Sequence, residues 1–128
     1  MKSIDEISSD VIGTSMAIHR EIGPGLLESV YEAILAKKLV RLGYEVEQQK
    51  PLGFSFEDMH FPAAFKVDLL VDRRLVVELK SIERLQPVHT KQLLTYLRLM
   101  KLPVGLLVNF GCDTLKEGIK RVVNKHDD

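Results

Sequence analysis

KVDLLVDRRLVVELK, residues 66–80, reads as two short apolar runs on either side of a polar turn. Phe65 to Val71 and Leu75 to Ser81 are rich in branched aliphatic side chains, which suit buried strands, and the polar Asp72-Arg73-Arg74 between them suits the turn of a hairpin. Asp68, Glu78 and Lys80 fall among those residues. If the turn is the three residues 72–74, Val71 faces Leu75 and Asp68 falls opposite Glu78, because cross-strand partners share a face. A two-residue turn at 73–74 would move the register by one and send Asp68 to the other face. Glu78 and Lys80, two apart on one strand, share a face in either register.

Two carboxylates in cross-strand contact repel, and poor hydration raises the cost to several kcal/mol unless something compensates. Three compensations are open: one acid holds a proton, Lys80 pairs with both, or a divalent cation sits between them. Hard oxygen donors favour magnesium or manganese over zinc. The plain alternative is a structural salt bridge at a sheet end, with Lys80 extending its head to water.

Both strands are otherwise apolar on both faces, so they are expected at the centre of a sheet with helices on either side. Ser3-x-x-Glu6 has the form of a capping box and predicts a first helix to about Glu21. A second helix is expected from Gly25 or Leu26, carrying Leu27, Val30, Ile34, Leu35, Leu39 and Leu42, with Gly43 as its stop. Tyr44 to Gln49 alternates weakly, as an edge strand does. Pro51 to Pro62 reads as loop, with room for a short strand. Pro87 precedes a helix over about His89 to Met100, Val104 to Asn109 reads as a central strand, and a last helix is expected over about Leu115 to Lys125. The order is ααβββαβα, an α+β mixed sheet flanked by helices, in one domain over 1–128.

Lys+Arg and Asp+Glu both number 18, so the chain has no bulk charge with which to coat nucleic acid. Its uninterrupted apolar stretches are four residues or fewer, too short to span a bilayer. The start, MKSIDEISSD, lacks the apolar run of a signal peptide. Cys112 has no partner for an internal disulfide, and His19, His60, His89 and His126 show no zinc-ligand spacing. A reducing cytoplasm is expected.

Two helical patterns stand beside the charged hairpin. Glu28 falls in the first turn of the second helix, with Tyr31 and Glu32 three and four residues on. An acid there interacts favourably with the helix dipole whatever else it does. Gln92 and Tyr96, four apart, share a helix face beside Leu93, Leu94 and Leu97.

GLLESVYE (25–32), KVDLLVDRRLVVELKSIERL (66–85) and HTKQLLTYLRLMKLPVGLLVNFG (89–111) together resemble the GxxExxY proteins, small members of the PD-(D/E)xK nuclease-like superfamily. The likeness extends from the first helix to LKEGIKRVVN. It implies a restriction-endonuclease-like core and an Mg²⁺- or Mn²⁺-dependent nuclease acting on DNA or RNA. Asp68 and Glu78 match the metal-binding acids and Lys80 the catalytic lysine. Glu28 resembles the helix acid that some members add, and the main-chain carbonyl of Leu79 lies between the two functional side chains as a further donor. Gln92 and Tyr96 resemble a Q-x-x-x-Y motif, which makes Gln92 a catalytic candidate and Tyr31 and Tyr96 accessory ones. Val67 stands where the proline before the first acid is usual, a departure that removes no ligand.

A nuclease also needs phosphate contacts. Arg73, Arg74, Arg84, Lys91 and Arg98 are candidates, with Lys116, Lys120, Arg121 and Lys125 as a second group on the last helix. Phe54, Phe56 and Phe61 have two readings, stacking on bases or packing under a loop. A second reading of the whole stays open: a nucleic-acid- or protein-binding scaffold that keeps the nuclease fold without turnover. A homodimer or a larger complex is compatible with either, since a chain this small has little surface with which to grip a duplex.

Overall fold

The Ser3 hydroxyl accepts the Glu6 amide and the Glu6 carboxylate accepts the Ser3 amide, both at 3.1 Å, and this capping box opens helix α1, Ile4–Ile22. The computed structural model describes residues 1–125; His126 lies outside them. Helix α2, Glu28–Arg41, follows, and Gly43 (φ +101°) turns the chain off its end in a conformation that suits glycine. Strands β1 (Val46–Phe56), β2 (Met59–Val71) and β3 (Leu75–Lys80) come next, then helix α3 (Pro87–Met100), strand β4 (Val104–Asn109), a single-turn helix α4 (Leu115–Gly118) and strand β5 (Ile119–Val123).

The five strands form one sheet in sequence order, β1-β2-β3-β4-β5. All neighbours are antiparallel except β3 and β4, which are parallel and joined through α3, as parallel neighbours require a crossover. Helices α1 and α2 cover one face: Ile7, Val11, Ile18, Leu35 and Leu39 pack on Leu69, Val71, Leu75, Val77 and Leu79. Helix α3 covers the other, where Leu93 and Leu97 meet Leu70, Val76, Leu107 and Val122. Strand β3 is therefore buried on both sides, which explains why Leu75, Val76, Val77 and Leu79 are apolar on both of its faces. The mixed α+β sheet flanked by helices matches the expectation. Among the described residues no helix is long and apolar enough to cross a membrane.

Two segments depart from it. Residues 51–62, expected as loop, are the outer arm of a long β1–β2 hairpin in which Phe54 faces Phe61 and Phe56 faces Met59 across the two-residue turn Glu57-Asp58. Pro51 is tolerated because β1 is an edge strand, where a missing N–H costs no ladder bond. The Phe54 ring stacks on those of Phe56 (6.4 Å between centroids) and Phe61 (6.2 Å), and Phe56 and Phe61 remain exposed. They do not lie under a loop.

The helix expected over 115–125 lasts one turn and gives way to β5. Ile119, Val122 and Val123 are β-branched and favour a strand. Pairing with β4 covers an edge that would otherwise be bare, and it buries Val122 in the α3 layer.

Tyr31 ties the loop between α1 and α2 to the core. Its hydroxyl donates to the Gly23 carbonyl (2.6 Å) and accepts from the Leu26 amide (3.2 Å), while its buried ring stacks on Phe110 at 4.4 Å. Tyr31→Phe strands both main-chain groups, so it is expected to lower stability by about 1–3 kcal/mol. The measurement is urea denaturation, with a lower midpoint at unchanged slope. An unchanged midpoint would mean that the hydroxyl does not hold the loop.

Candidate active site

The β2–β3 ladder pairs Val71 with Leu75, Leu70 with Val76 and Leu69 with Val77. Its turn is the three residues 72–74: Asp72 and Arg73 are left-handed, and the Arg74 amide donates to the Val71 carbonyl at 3.0 Å. One step past the last pair, this register sets Asp68 against Glu78. There the main-chain ladder is replaced by a crossed pair of side-chain bonds. The Asp68 amide donates to Glu78 Oε2 (2.6 Å), and the Leu79 amide donates to Asp68 Oδ2 (2.8 Å). Each acid is held on the other strand's main chain, and hydrogen bonds from N–H to carboxylate are among the stronger ones.

This arrangement brings two negative charges together where water is scarce. Glu78 is only 6% exposed. Burial, and after it the Asp68 charge, push its carboxyl up to about 8, against the pull of the Asp68 amide and of Lys80; Glu32 adds a smaller push upward. Lys80 is half-buried at the end of β3, and among the described residues no ion pair joins it to either acid.

A third acid reaches the clasp through an amide. Glu32, buried on α2, accepts the Gln48 side chain at Oε2 (3.1 Å) and the Gln49 side chain at Oε1 (2.6 Å). The same Gln49 Nε2 donates to Asp68 Oδ1 at 3.2 Å. Consecutive strand residues normally point to opposite faces. Gln49 is left-handed (φ +49°) and the regular β1–β2 pairing skips it and Asp68, so both glutamines can turn to one acid. Such a backbone conformation costs of order 1–3 kcal/mol in a non-glycine residue and tends to mark functional sites.

The other candidates fall into three places. Tyr96 of α3 faces the acids: it stacks on Phe65 at 4.6 Å, and burial, then the charges of Glu78 and Asp68, raise its pKa. Gln92 is exposed one turn earlier. Glu28 is exposed in the first turn of α2 and lines an open groove with Ser81, Ile82 and Glu83, just beyond Lys80. The α2 acid tied into the clasp is thus Glu32, one turn after Glu28. Tyr31 is buried and committed to the loop before α2.

Arg73 and Arg74 lie at the hairpin turn, the opposite end of β3 from the acids. Arg73 pairs with Glu45 (3.6 Å) and Arg74 donates to the Lys2 carbonyl. Each strand residue adds about 3.3 Å of separation between that turn and the acids. Arg84, Lys91 and Arg98 are exposed, the first in the loop after β3 and the others on α3. The second basic group loses its common helix, and Arg121 pairs with Asp5 at 2.8 Å.

Glu32, Gln48 and Gln49 did not stand out as site residues. The signal available for Glu32 was its place one turn after Glu28 on the same helix face. For the glutamines no signal existed, because their convergence depends on a left-handed residue inside a strand.

Among the described residues no three acids, histidines or cysteines gather as a ready metal-holding group. Two carboxylates still suit magnesium, which keeps several waters and takes one or two protein carboxylates. The crowded pair of half-buried Asp68 and buried Glu78 is a donor set that a hard cation would stabilise. A family model described as the PD-(D/E)XK nuclease superfamily matches residues 5–122, nearly the whole chain. No curated protein and no solved structure matches it.

The raised Glu78 carboxyl has a consequence for stability. A folded-state pKa above the ordinary 4.5 means that the folded chain binds the proton more tightly, so this stability is complete below 4.5 and is lost as pH rises to about 8. The thermal midpoint is expected to fall across that window in wild type and to fall less in Glu78→Gln, which still accepts the Asp68 amide. Equal slopes for the two proteins by calorimetry would show that Glu78 titrates normally.

Proposed function

We propose that this chain, which belongs to the PD-(D/E)XK nuclease superfamily, is a single-domain, Mg²⁺- or Mn²⁺-dependent nuclease of the GxxExxY branch, acting in the cytoplasm. Nucleases of the superfamily generally use divalent metals and act on nucleic acid. The observation that carries the reading is the crossed clasp, in which Asp68 and Glu78 are held together despite their like charge. The branch assignment rests on the Gly25, Glu28 and Tyr31 motif.

In this reading Asp68 and Glu78 hold the cation, with the Leu79 carbonyl and Glu28 as further donors. When bound, the ion supplies positive charge to the phosphoryl group and acidity to water. The chain's own residues do the rest. Lys80 extends its ammonium beside the acids, orienting the attacking water and stabilising the negative charge that develops on the phosphoryl oxygens. Gln92 reaches the phosphate from α3, and the Tyr96 hydroxyl faces the same acids. Glu32 supports Asp68 through the Gln49 amide. Arg84, Lys91 and Arg98 contact the backbone phosphates, which makes affinity fall with salt.

One observation favours the scaffold reading instead. An oxygen of each carboxylate is already engaged by a main-chain amide, as in a purely structural brace. The two readings separate in substitutions. Lys80→Ala is expected to reduce cleavage about 100-fold or more while leaving metal affinity measurable, since removal of one transition-state donor costs roughly 10²–10³. Glu78→Ala is expected to lose both. The assay is Mg²⁺- or Mn²⁺-dependent cleavage of single- and double-stranded DNA and RNA at low salt, with calorimetry for the metal. Wild type that neither binds metal nor cleaves any of these substrates would leave the scaffold.

A further inference from the structure

Strands β3 and β4 end level with each other, Lys80 opposite Asn109. The Phe110 amide donates to the Lys80 carbonyl at 2.8 Å. Past that bond the chain leaves β3 for α3, and a strand end without partners opens readily. The Asn109 side chain, fully buried, takes over where the main chain stops. Its Oδ1 accepts the amides of Ile82 and Gly111, both at 3.0 Å, and its Nδ2 donates to the Ile82 carbonyl (2.9 Å) and to Cys112 Sγ (3.3 Å). Two accepted and two donated bonds use the amide's full capacity. A side-chain amide offers a donor and an acceptor as a peptide group does, so Asn109 adds one more rung to the ladder beyond Lys80. Ser81, the residue between, is anchored by its hydroxyl to the Leu26 carbonyl at 2.6 Å.

Gly111 makes this approach sterically feasible. A Cβ there would stand 2.1 Å from the Ile82 carbonyl oxygen, against main chain that cannot swing aside as a flexible side chain does. Asn109 and Gly111 thus act on the same two atoms of Ile82, one by bonding them and one by leaving room for them.

We infer that Asn109 is the positioning residue for Lys80: by clamping Ile82, with Gly111 admitting the contact, it fixes the strand end from which the lysine head extends. Its catalytic importance rests on the reading of Lys80 as the catalytic lysine. A lysine has a flexible four-carbon stem, and no ion pair among the described residues holds this one at its head. Its placement then depends on where the main chain holds its root. A displacement of roughly 1 Å at a reacting centre can cost about 10²-fold in rate.

The test uses Asn109→Ala and Gly111→Ala, which open the clamp from different sides, and Val122→Ala, which weakens the α3 layer without touching it. The first readout is side-chain order at the Lys80 Cε by NMR relaxation, with Lys66 as an internal reference. Order at Lys80 is expected to fall in both clamp variants and to stay at the wild-type level in Val122→Ala, with Lys66 unchanged throughout. The second is cleavage: kcat is expected to fall about 10- to 100-fold with KM within about twofold. Lys80 order unchanged in both clamp variants, or lowered equally by Val122→Ala, would overturn the inference. A wild type that cleaves nothing, but whose Lys80 order still depends on Asn109, would remove the nuclease reading and uphold the clamp. If Asn109→Ala fails to fold, Gly111→Ala decides by the same readouts.

Discussion

At the open end of the β2–β3 hairpin, two carboxylates replace a rung of the ladder, and the arrangement of neighbouring elements follows from that exchange. Asp68 and Glu78 cannot separate, because the three-residue turn sets them opposite each other. Nor can they stay together without donors, since a buried carboxylate is costly when unsatisfied. The amides of Asp68 and Leu79 are freed for this purpose because regular β2–β3 pairing stops at Leu69 and Val77. On the other side, β1 breaks its own pattern at Gln49 so that an amide can lie between Asp68 and Glu32. The sheet is irregular where the acids are, and regular elsewhere along β3.

Burial on both faces makes this pair unusual. Helices α1 and α2 close one side of β3 and α3 closes the other, so Glu78 sits in a strand that is also the centre of the core. The same burial that stabilises the fold raises the Glu78 carboxyl. Stability and the protonation of Glu78 are therefore coupled through one strand. Tyr31, although part of the motif that gives the family resemblance, acts in the structure on the loop that leads into α2. Its contribution is to where α2 begins, and through α2 to where Glu28 and Glu32 stand.

Features governed by neighbours in sequence were legible. The Ser3 capping box, the stop at Gly43 and the apolar runs of β3 and β4 follow from short-range rules, which also narrowed the charged hairpin to two registers. The 53–62 arm carried a signal that the loop reading passed over: Phe54 and Phe56 alternate on one side of Glu57-Asp58 and Met59 and Phe61 on the other. Two prolines and a glycine obscured that alternation. Strand β5 was not legible as a strand, because Leu115, Ile119 and Val122 also fit a helix face and nothing local reveals that β4 has a free edge.

The amino-acid sequence by itself determined that Glu78 and Lys80 share a strand face and that a three-residue turn would bring Asp68 to them, because strand period and its dependence on turn length are local properties of the chain. Tertiary structure alone decided which other groups join them. Glu32 reaches the clasp because α2 lies across the sheet there, Gln49 because its backbone is left-handed, and Asn109 meets Ile82 because parallel strands bring together residues 27 apart. It also decided that Arg73 and Arg74 are distant, although they sit only a few residues from both acids in sequence. A hairpin puts its turn at one end and its open residues at the other, so closeness along the chain and closeness in space part company within a single strand.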